Sequence, residues 1–199
     1  MELIIVRHGE TDWNKLERCQ GISDIPLNSR GKKQAKQLAD SLKTEFISAI
    51  FSSDLIRAKE TAEAIAHYHS VPFYFDRNLR EMDQGEFEGL EFSHIRAKYS
   101  NVLNQWATDP ENLRIPGGET LLEVQDRAWR AYLDIYENHH DDRVLIVSHN
   151  LTIISLLCKF SGKPLTSFRE FSVKETSKSV VICDKSRYEI SILNDIGHL

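Results

Sequence analysis

The sequence predicts an α/β fold of three layers, with helices on both faces of a mostly parallel central sheet. Two observations carry this expectation. The runs Leu3-Ile4-Ile5-Val6 and Val144-Leu145-Ile146-Val147 are apolar without alternation, as strands buried on both faces are. Between such runs lie amphipathic segments long enough to be crossover helices, so strand and helix alternate along the chain. A chain of 199 residues can bury a proper core, and residues 1–199 read as a single domain.

The elements follow in order. The first strand runs into Arg7-His8-Gly9-Glu10-Thr11, and a polar loop continues to Leu27, punctuated by Gly21 and Pro26. Asn28 and Ser29 are good N-caps and open a helix that reaches to Thr44. Ala49-Ile50-Phe51-Ser52 reads as a second strand. A helix starting at Asp54 then places Leu55, Ala58, Ala62 and Ile65 near helical spacing, and Val71 to Phe75 is a short third strand. From Asn78 to Pro116 the pattern weakens to loops and short helices, one of them over Phe92 to Lys98. Pro116-Gly117-Gly118-Glu119 breaks the chain. Thr120-Leu121-Leu122-Glu123 is a capping box, and Leu121, Val124, Ala128, Tyr132 and Ile135 form the buried stripe of the helix it opens. The strand ending at Val147 is next, then a helix from Leu151 to Phe160. Ser179 to Asp184 and Tyr188 to Leu193 read as a closing pair of strands.

Composition limits the partners. The chain is 41% apolar and 28% charged, ordinary for a globular protein. A formal net charge of −5 argues against nucleic acid as a partner, so any anion site must be a local positive spot. No apolar run approaches bilayer length, and no membrane association is expected. Cys19, Cys158 and Cys183 are an odd number without metal spacing, which suggests a reducing compartment and no disulfide frame. The first strand begins almost at Met1 and leaves no room for a signal peptide, so a cytoplasmic location is expected. No metal-ligand cluster is visible, and neither a metal nor another cofactor is expected.

In an open α/β sheet, ligands collect outside the carboxyl ends of the strands. Two strands here deliver His8 and His149 to that edge. A neutral imidazole is a good nucleophile towards phosphorus. The neighbouring guanidinium of Arg7 can bind phosphate oxygens in a matching fork, and its charge lowers the histidine pKa. The pairing predicts a phosphate site with a histidine nucleophile. For the Arg7-His8 dipeptide alone, a structural histidine at a strand end beside a surface arginine is the favoured explanation.

The longer string Arg7-His8-Gly9-Glu10-Thr11-Asp12-Trp13-Asn14 is far more specific. In order after it come Gln20-Gly21, Asp24-Ile25-Pro26-Leu27, Ser52-Ser53-Asp54-Leu55-Ile56-Arg57-Ala58, Leu79-Arg80-Glu81, Pro116-Gly117-Gly118-Glu119-Thr120 and Ser148-His149. With these the chain resembles, over nearly its whole length, the histidine phosphatase superfamily, also called phosphoglycerate mutase-like. The resemblance implies that His8 is the nucleophile that becomes phosphohistidine. It implies that Arg7 and Arg57 clamp the phosphate and that His149 is a second pocket histidine. Glu81 would protonate the leaving oxygen and later act as base for water. Asn14 and the Gln20-Gly21 turn would add phosphate contacts, partly through the backbone. Phosphoryl transfer spreads charge over three equatorial oxygens and needs preorganised donors, and a poor alkoxide leaving group needs an acid.

The other histidines, His67, His69, His94, His139, His140 and His198, are expected at the surface or in packing. His198 belongs to an Asn194-Asp195-x-x-His198-Leu199 ending that resembles the phosphatase branches, with no chemistry assigned. Cys19 is expected to pack beside the pocket, with a reactive thiol as the alternative. Gln84, Phe87, Tyr99 and Trp106 are candidates for the rim.

The family contains both phosphatases and mutases. The cofactor-dependent mutases carry an insertion after the Glu81 region with added basic residues. Here Glu81 to Pro116 is short, and Arg96, Lys98 and Arg114 are scattered. Hydrolysis of a small-molecule phosphate ester is therefore expected, with phosphoglycerate mutase as the alternative. A non-catalytic phospho-ligand or phosphoprotein binder is disfavoured because His8, Arg57 and Glu81 are all present. α-Ribazole phosphate, phosphoserine and a broad range of esters all remain open as substrates, and so does a homodimer.

Overall fold

The computed structural model describes residues 1–185 and 187–199. Strand β1 (Glu2–Arg7) runs parallel to the fourth strand of the chain (Arg143–Ser148), and that strand runs parallel to Ala49–Ser52, which in turn pairs in parallel with Phe73–Phe75. These three are β4, β2 and β3. On the other side of β1, β5 (Lys178–Asp184) and β6 (Arg187–Asp195) form an antiparallel hairpin. The six-stranded order is β3-β2-β4-β1-β5-β6. The mostly parallel sheet and the closing pair of strands are as the sequence predicts.

The unbroken apolar runs occupy the middle of this sheet because both its faces are covered. Leu3 to Val6 are at most 1% exposed, and Val144 to Val147 are fully buried. Their side chains alternate between two cores. Leu3, Ile5, Val144 and Ile146 face the core of the helices α6 (Leu121–His139) and α7 (Asn150–Phe160). Ile4, Val6, Leu145 and Val147 face the core of α2 (Ser29–Leu42) and α3 (Ile56–Ala66). The remaining helices are short: α1 (Asp12–Lys15), α4 (Phe92–Lys98) and α5 (Ser100–Thr108). Among the described residues no helix is long and apolar enough to cross a membrane.

Local chemistry sets the element ends. Asn28 caps α2 by accepting the Gly31 amide at 2.8 Å, and Thr120 and Glu123 complete the predicted capping box of α6. Helix α3 begins at Ile56, two residues after the predicted start. Asp54 is taken by Arg80 through paired bonds of 2.6 and 2.7 Å, and the carboxylate of Asp24 caps the Ile56 amide instead at 2.6 Å. Strand β3 begins at Phe73, not at Val71, because Pro72 has no N–H for the ladder and offers only its carbonyl to Ile50. Helix α2 stops at Leu42, two residues short of the predicted Thr44.

Candidate active site

The register of β1 and β4 builds the site. Arg7 pairs with Ser148, so the next residues, His8 and His149, leave the sheet side by side. Their ring centroids are 5.0 Å apart. The His8 amide donates to the Ser148 carbonyl at 3.1 Å and fixes this juncture. The Ser148 hydroxyl donates to the Leu79 carbonyl at 2.7 Å and ties β4 to the loop that carries Glu81.

Arg57 reaches the same point from the first turn of α3, where its charge is disfavoured by the helix dipole. It is fully buried, and acceptors compensate. Its Nε–H is shared between His8 Nε2 at 3.3 Å and His149 Nδ1 at 3.2 Å. Its Nη groups donate to the Ser23 carbonyl at 2.8 Å and the Gly21 carbonyl at 2.6 Å. The Gln20 amide satisfies its neighbours with its nitrogen on Thr11 Oγ1 (2.7 Å) and its oxygen on Arg57 Nη1 (3.0 Å).

His8 Nδ1 lies 2.7 Å from the Gly9 carbonyl. That acceptor requires the proton on Nδ1 and leaves the lone pair on Nε2, where Arg57 donates to it. Burial, then Arg57 and Arg7, hold His8 well below the ordinary value of 6.5. Burial, then Arg57, does the same for His149, whose Nε2 is buried without a partner among the described residues. Burial lowers Arg57 to about 10, so it keeps its charge at neutral pH.

Arg7 donates to the Val173 carbonyl at 2.6 Å and pairs with Glu175 at 2.9 Å, and its Nε has no partner among the described residues. The segment holding it is strained: buried Thr176 has φ +54°, unusual for a β-branched residue. Its amide donates to the carbonyls of Arg7 (3.1 Å) and His8 (3.3 Å). The C-terminal motif braces this turn. Asn194 accepts the Lys174 amide at 2.8 Å, and His198 Nε2 lies 3.4 Å from Thr176 Oγ1.

Glu81 is nearly buried, and its carboxylate caps α7 from a distant loop. It accepts the amides of Leu151 (3.2 Å) and Thr152 (3.3 Å) as well as Met82 (2.8 Å). Arg127 of α6 holds that loop. It donates to the carbonyls of Asn78 (2.8 Å), Arg80 (2.6 Å) and Glu81 (2.9 Å) and pairs with Glu119 at 2.9 Å. Sequence reasoning missed Arg127 and Glu119. The available signal was a basic residue three positions after Val124, on the edge of the buried stripe.

A cavity of about 580 Å³ opens above these groups, with Arg7, His8, Asn14, Gln20 and Glu81 among its lining residues. Asn14 lines the cavity and also accepts the Thr11 amide at 3.0 Å in the capping box of α1. Arg57, His149 and Gly21 are not among its lining residues; Arg57 and His149 both adjoin His8, which is. Gly21 turns its carbonyl to Arg57, and a Cβ there would stand 2.7 Å from Gln84 N and Met82 O. The predicted rim residues divide. Gln84, Phe87 and Trp106 line the cavity, whereas Tyr99 packs on Phe87 with centroids 4.8 Å apart. Cys19 is 4% exposed, and burial followed by Glu88 pushes its thiol up to about 12, so the reactive-thiol alternative fails. Among the described residues no three His, Cys, Asp or Glu side chains are grouped to hold a metal ion.

The arrangement is a buried, neutral imidazole pair bridged by one guanidinium, with a second guanidinium and a carboxylate at the mouth. The family model for the histidine phosphatase superfamily (branch 1) matches residues 3–196. Phosphoserine phosphatase 1 of Hydrogenobacter thermophilus is 33% identical over 100% of this chain and 94% of its own length. Probable phosphoglycerate mutase GpmB of Salmonella choleraesuis is 33% identical over 100% of this chain and 95% of its own length. The solved structure of Bacillus stearothermophilus YhfR superposes with a TM-score of 0.93 at 31% identity, over 99% of this chain and 98% of that one. The chain belongs to the histidine phosphatase superfamily, branch 1, and is a phosphatase of that family.

Proposed function

We propose that residues 1–199 form one catalytic unit, a metal-independent phosphomonoesterase that hydrolyses small phosphorylated metabolites through a phosphohistidine on His8. The observation that carries this reading is the hydrogen bonding of the imidazole pair. Gly9 fixes the His8 proton on Nδ1, and Arg57 faces the Nε2 lone pair that would attack phosphorus. In the first step His8 Nε2 bonds to phosphorus, the ester P–O bond breaks, and Glu81 gives a proton to the leaving oxygen. The Arg57 N–H then passes from the imidazoles to a phosphoryl oxygen. Arg7, Asn14 and Gln20 meet the other oxygens, Gly21 holds Arg57 from behind, and His149 lies against the transferring group. In the second step Glu81 takes a proton from water, the water oxygen bonds to phosphorus, the His8 Nε2–P bond breaks with its electron pair returning to the imidazole, and inorganic phosphate leaves.

Similarity to phosphoserine phosphatase 1 supports hydrolysis of a small ester. Similarity to the probable phosphoglycerate mutase favours a second reading, isomerisation of phosphoglycerate. One set of assays tests both. The protein is expected to release phosphate from an aryl phosphate in the presence of a chelator and to carry acid-labile phosphate. His8→Ala should lose both and keep its circular dichroism spectrum. Labelled phosphate on serine or cysteine would refute the nucleophile, and loss of turnover with chelator would refute metal independence. Rapid conversion of 3-phosphoglycerate with catalytic 2,3-bisphosphoglycerate would establish the mutase.

A further inference from the structure

The two carbonyls that orient Arg57 are themselves held from the far side. The Gly21 carbonyl accepts Arg57 Nη2 at 2.6 Å. The N–H of that same peptide unit, the Ile22 amide, donates to Glu88 Oε1 at 2.6 Å. A trans peptide points its N–H and C=O in opposite directions, so carboxylate and guanidinium sit at the two ends of one amide. The next residue repeats the pattern. The Ser23 amide donates to Glu88 Oε2 at 2.7 Å, and the Ser23 carbonyl accepts Arg57 Nη1 at 2.8 Å. The Ser23 hydroxyl donates to the same carboxylate oxygen. A carboxylate on the N–H end polarises an amide and makes its carbonyl a stronger acceptor.

The carboxylate has a fixed base. Glu88 ends the short 3₁₀ turn Gly85–Phe87, and the chain just after it is laced to Cys19. The Gly89 amide donates to the Cys19 carbonyl at 2.9 Å, and the Cys19 amide donates to the Leu90 carbonyl at 2.8 Å. The fit is close, since a Cβ on Gly21 would stand 2.2 Å from Glu88 Oε1. The other carboxylates near Arg57 are spent on helix ends: Asp24 caps the Ile56 amide and Glu81 caps α7. Glu88 is not among the residues that line the cavity, so it acts through the turn or not at all.

We infer that Glu88 is a positioning residue for phosphoryl transfer: its carboxylate holds the turn of Gly21, Ile22 and Ser23 so that the two carbonyls aim the Arg57 guanidinium at His8 and at the phosphoryl group beside it. The inference rests on the phosphatase reading and adds to it a residue that touches neither substrate nor reacting atoms.

Glu88→Gln keeps the shape of the side chain but sets an NH₂ group against an N–H donor. Its circular dichroism spectrum should match the parent, and kcat/KM for an aryl phosphate should fall about tenfold or more. The loss should be equal on an alkyl phosphate, because Arg57 meets the phosphoryl oxygens and not the leaving oxygen. A larger loss on the alkyl ester would place the damage at Glu81, on the same segment, and overturn the inference. In an Arg57→Ala background Glu88→Gln should cost less than twofold. An equal cost in both backgrounds would show a brace of the turn alone and overturn it too. Ser23→Ala removes only the hydroxyl bond to Glu88, and it decides the matter if Glu88→Gln does not fold. It should cost about two- to threefold with Arg57 present and nothing without it, and any other pattern overturns the inference. Calorimetry with orthovanadate reads the same cycle without turnover. A vanadate affinity that Glu88→Gln weakens only when Arg57 is present, in a parent that hydrolyses no ester, would overturn the phosphatase reading alone and uphold the role of Glu88.

Discussion

Arg57 offers the most direct test of whether geometry or charge organises the site. It donates to two imidazole nitrogens and two carbonyls while fully buried. Arg57→Lys keeps the charge but replaces a planar fork with a compact ammonium that cannot span those acceptors. If positive charge alone mattered, lysine would serve. If the fork matters, kcat should fall about a hundredfold or more, the loss typical of one preorganised transition-state donor, about 2.7–4 kcal/mol. Stability should fall too. The carbonyls of Gly21 and Ser23 lose their donors, and each buried group left unsatisfied costs about 1–3 kcal/mol. A combined loss near 3 kcal/mol corresponds to a Tm decrease of about 6–12 °C for a chain of this size. Aryl phosphate turnover and thermal melts of the parent, Arg57→Lys and Arg57→Ala measure both quantities. Lysine variants with kcat within fivefold of the parent and an unchanged Tm would refute the geometric argument.

Two further outcomes follow from the buried groups. Unfolding returns His8 and His149 to the ordinary value of 6.5, whereas both are held well below it in the fold. Below pH 6.5 the unfolded chain therefore binds up to two protons more, and stability should fall as pH falls, by up to about 2.7 kcal/mol per pH unit. Urea midpoints measured from pH 7.5 to 5 check this, and a flat midpoint would mean that the rings take up protons in the fold just as they do in the unfolded chain. Arg127→Met should lower kcat on a poor alkyl leaving group more than on a good aryl one, because it releases the loop that carries Glu81. An equal loss on both esters would show that Arg127 does not act through Glu81.

The sheet and the imidazole pair were legible in the sequence for the same reason. Leu3 to Val6 and Val144 to Val147 need burial on both faces, and each run hands its next polar residues to the carboxyl edge. Arg127 was not legible. Its partners are mostly backbone carbonyls, which carry no side-chain signature, and they lie 46–49 positions away in the chain. The Gln20-Gly21 turn was expected to contact phosphate partly through its backbone; that the Gly21 carbonyl also accepts from Arg57 was not legible, because the direction of a turn is set by what packs behind it. The cavity wall was legible in part: α4 is the expected Phe92–Lys98 helix and Gln84, Phe87 and Trp106 line the cavity, whereas α5 spans only 9 residues, too few turns for a clear periodicity.

The distance between the two imidazoles has a simple origin. Neighbouring strands in any sheet lie about 4.8 Å apart. Here the ring centroids stand 5.0 Å apart, one on each of two adjacent strand tips. The sheet thus serves as a ruler with a single graduation, set by peptide hydrogen bonds and indifferent to the identity of side chains elsewhere. Loops and helices above the cavity can be lengthened, shortened or exchanged without altering that gauge. A scaffold of this kind can be retuned to new leaving groups by substitution in α4 and α5 while its two rings stay in step.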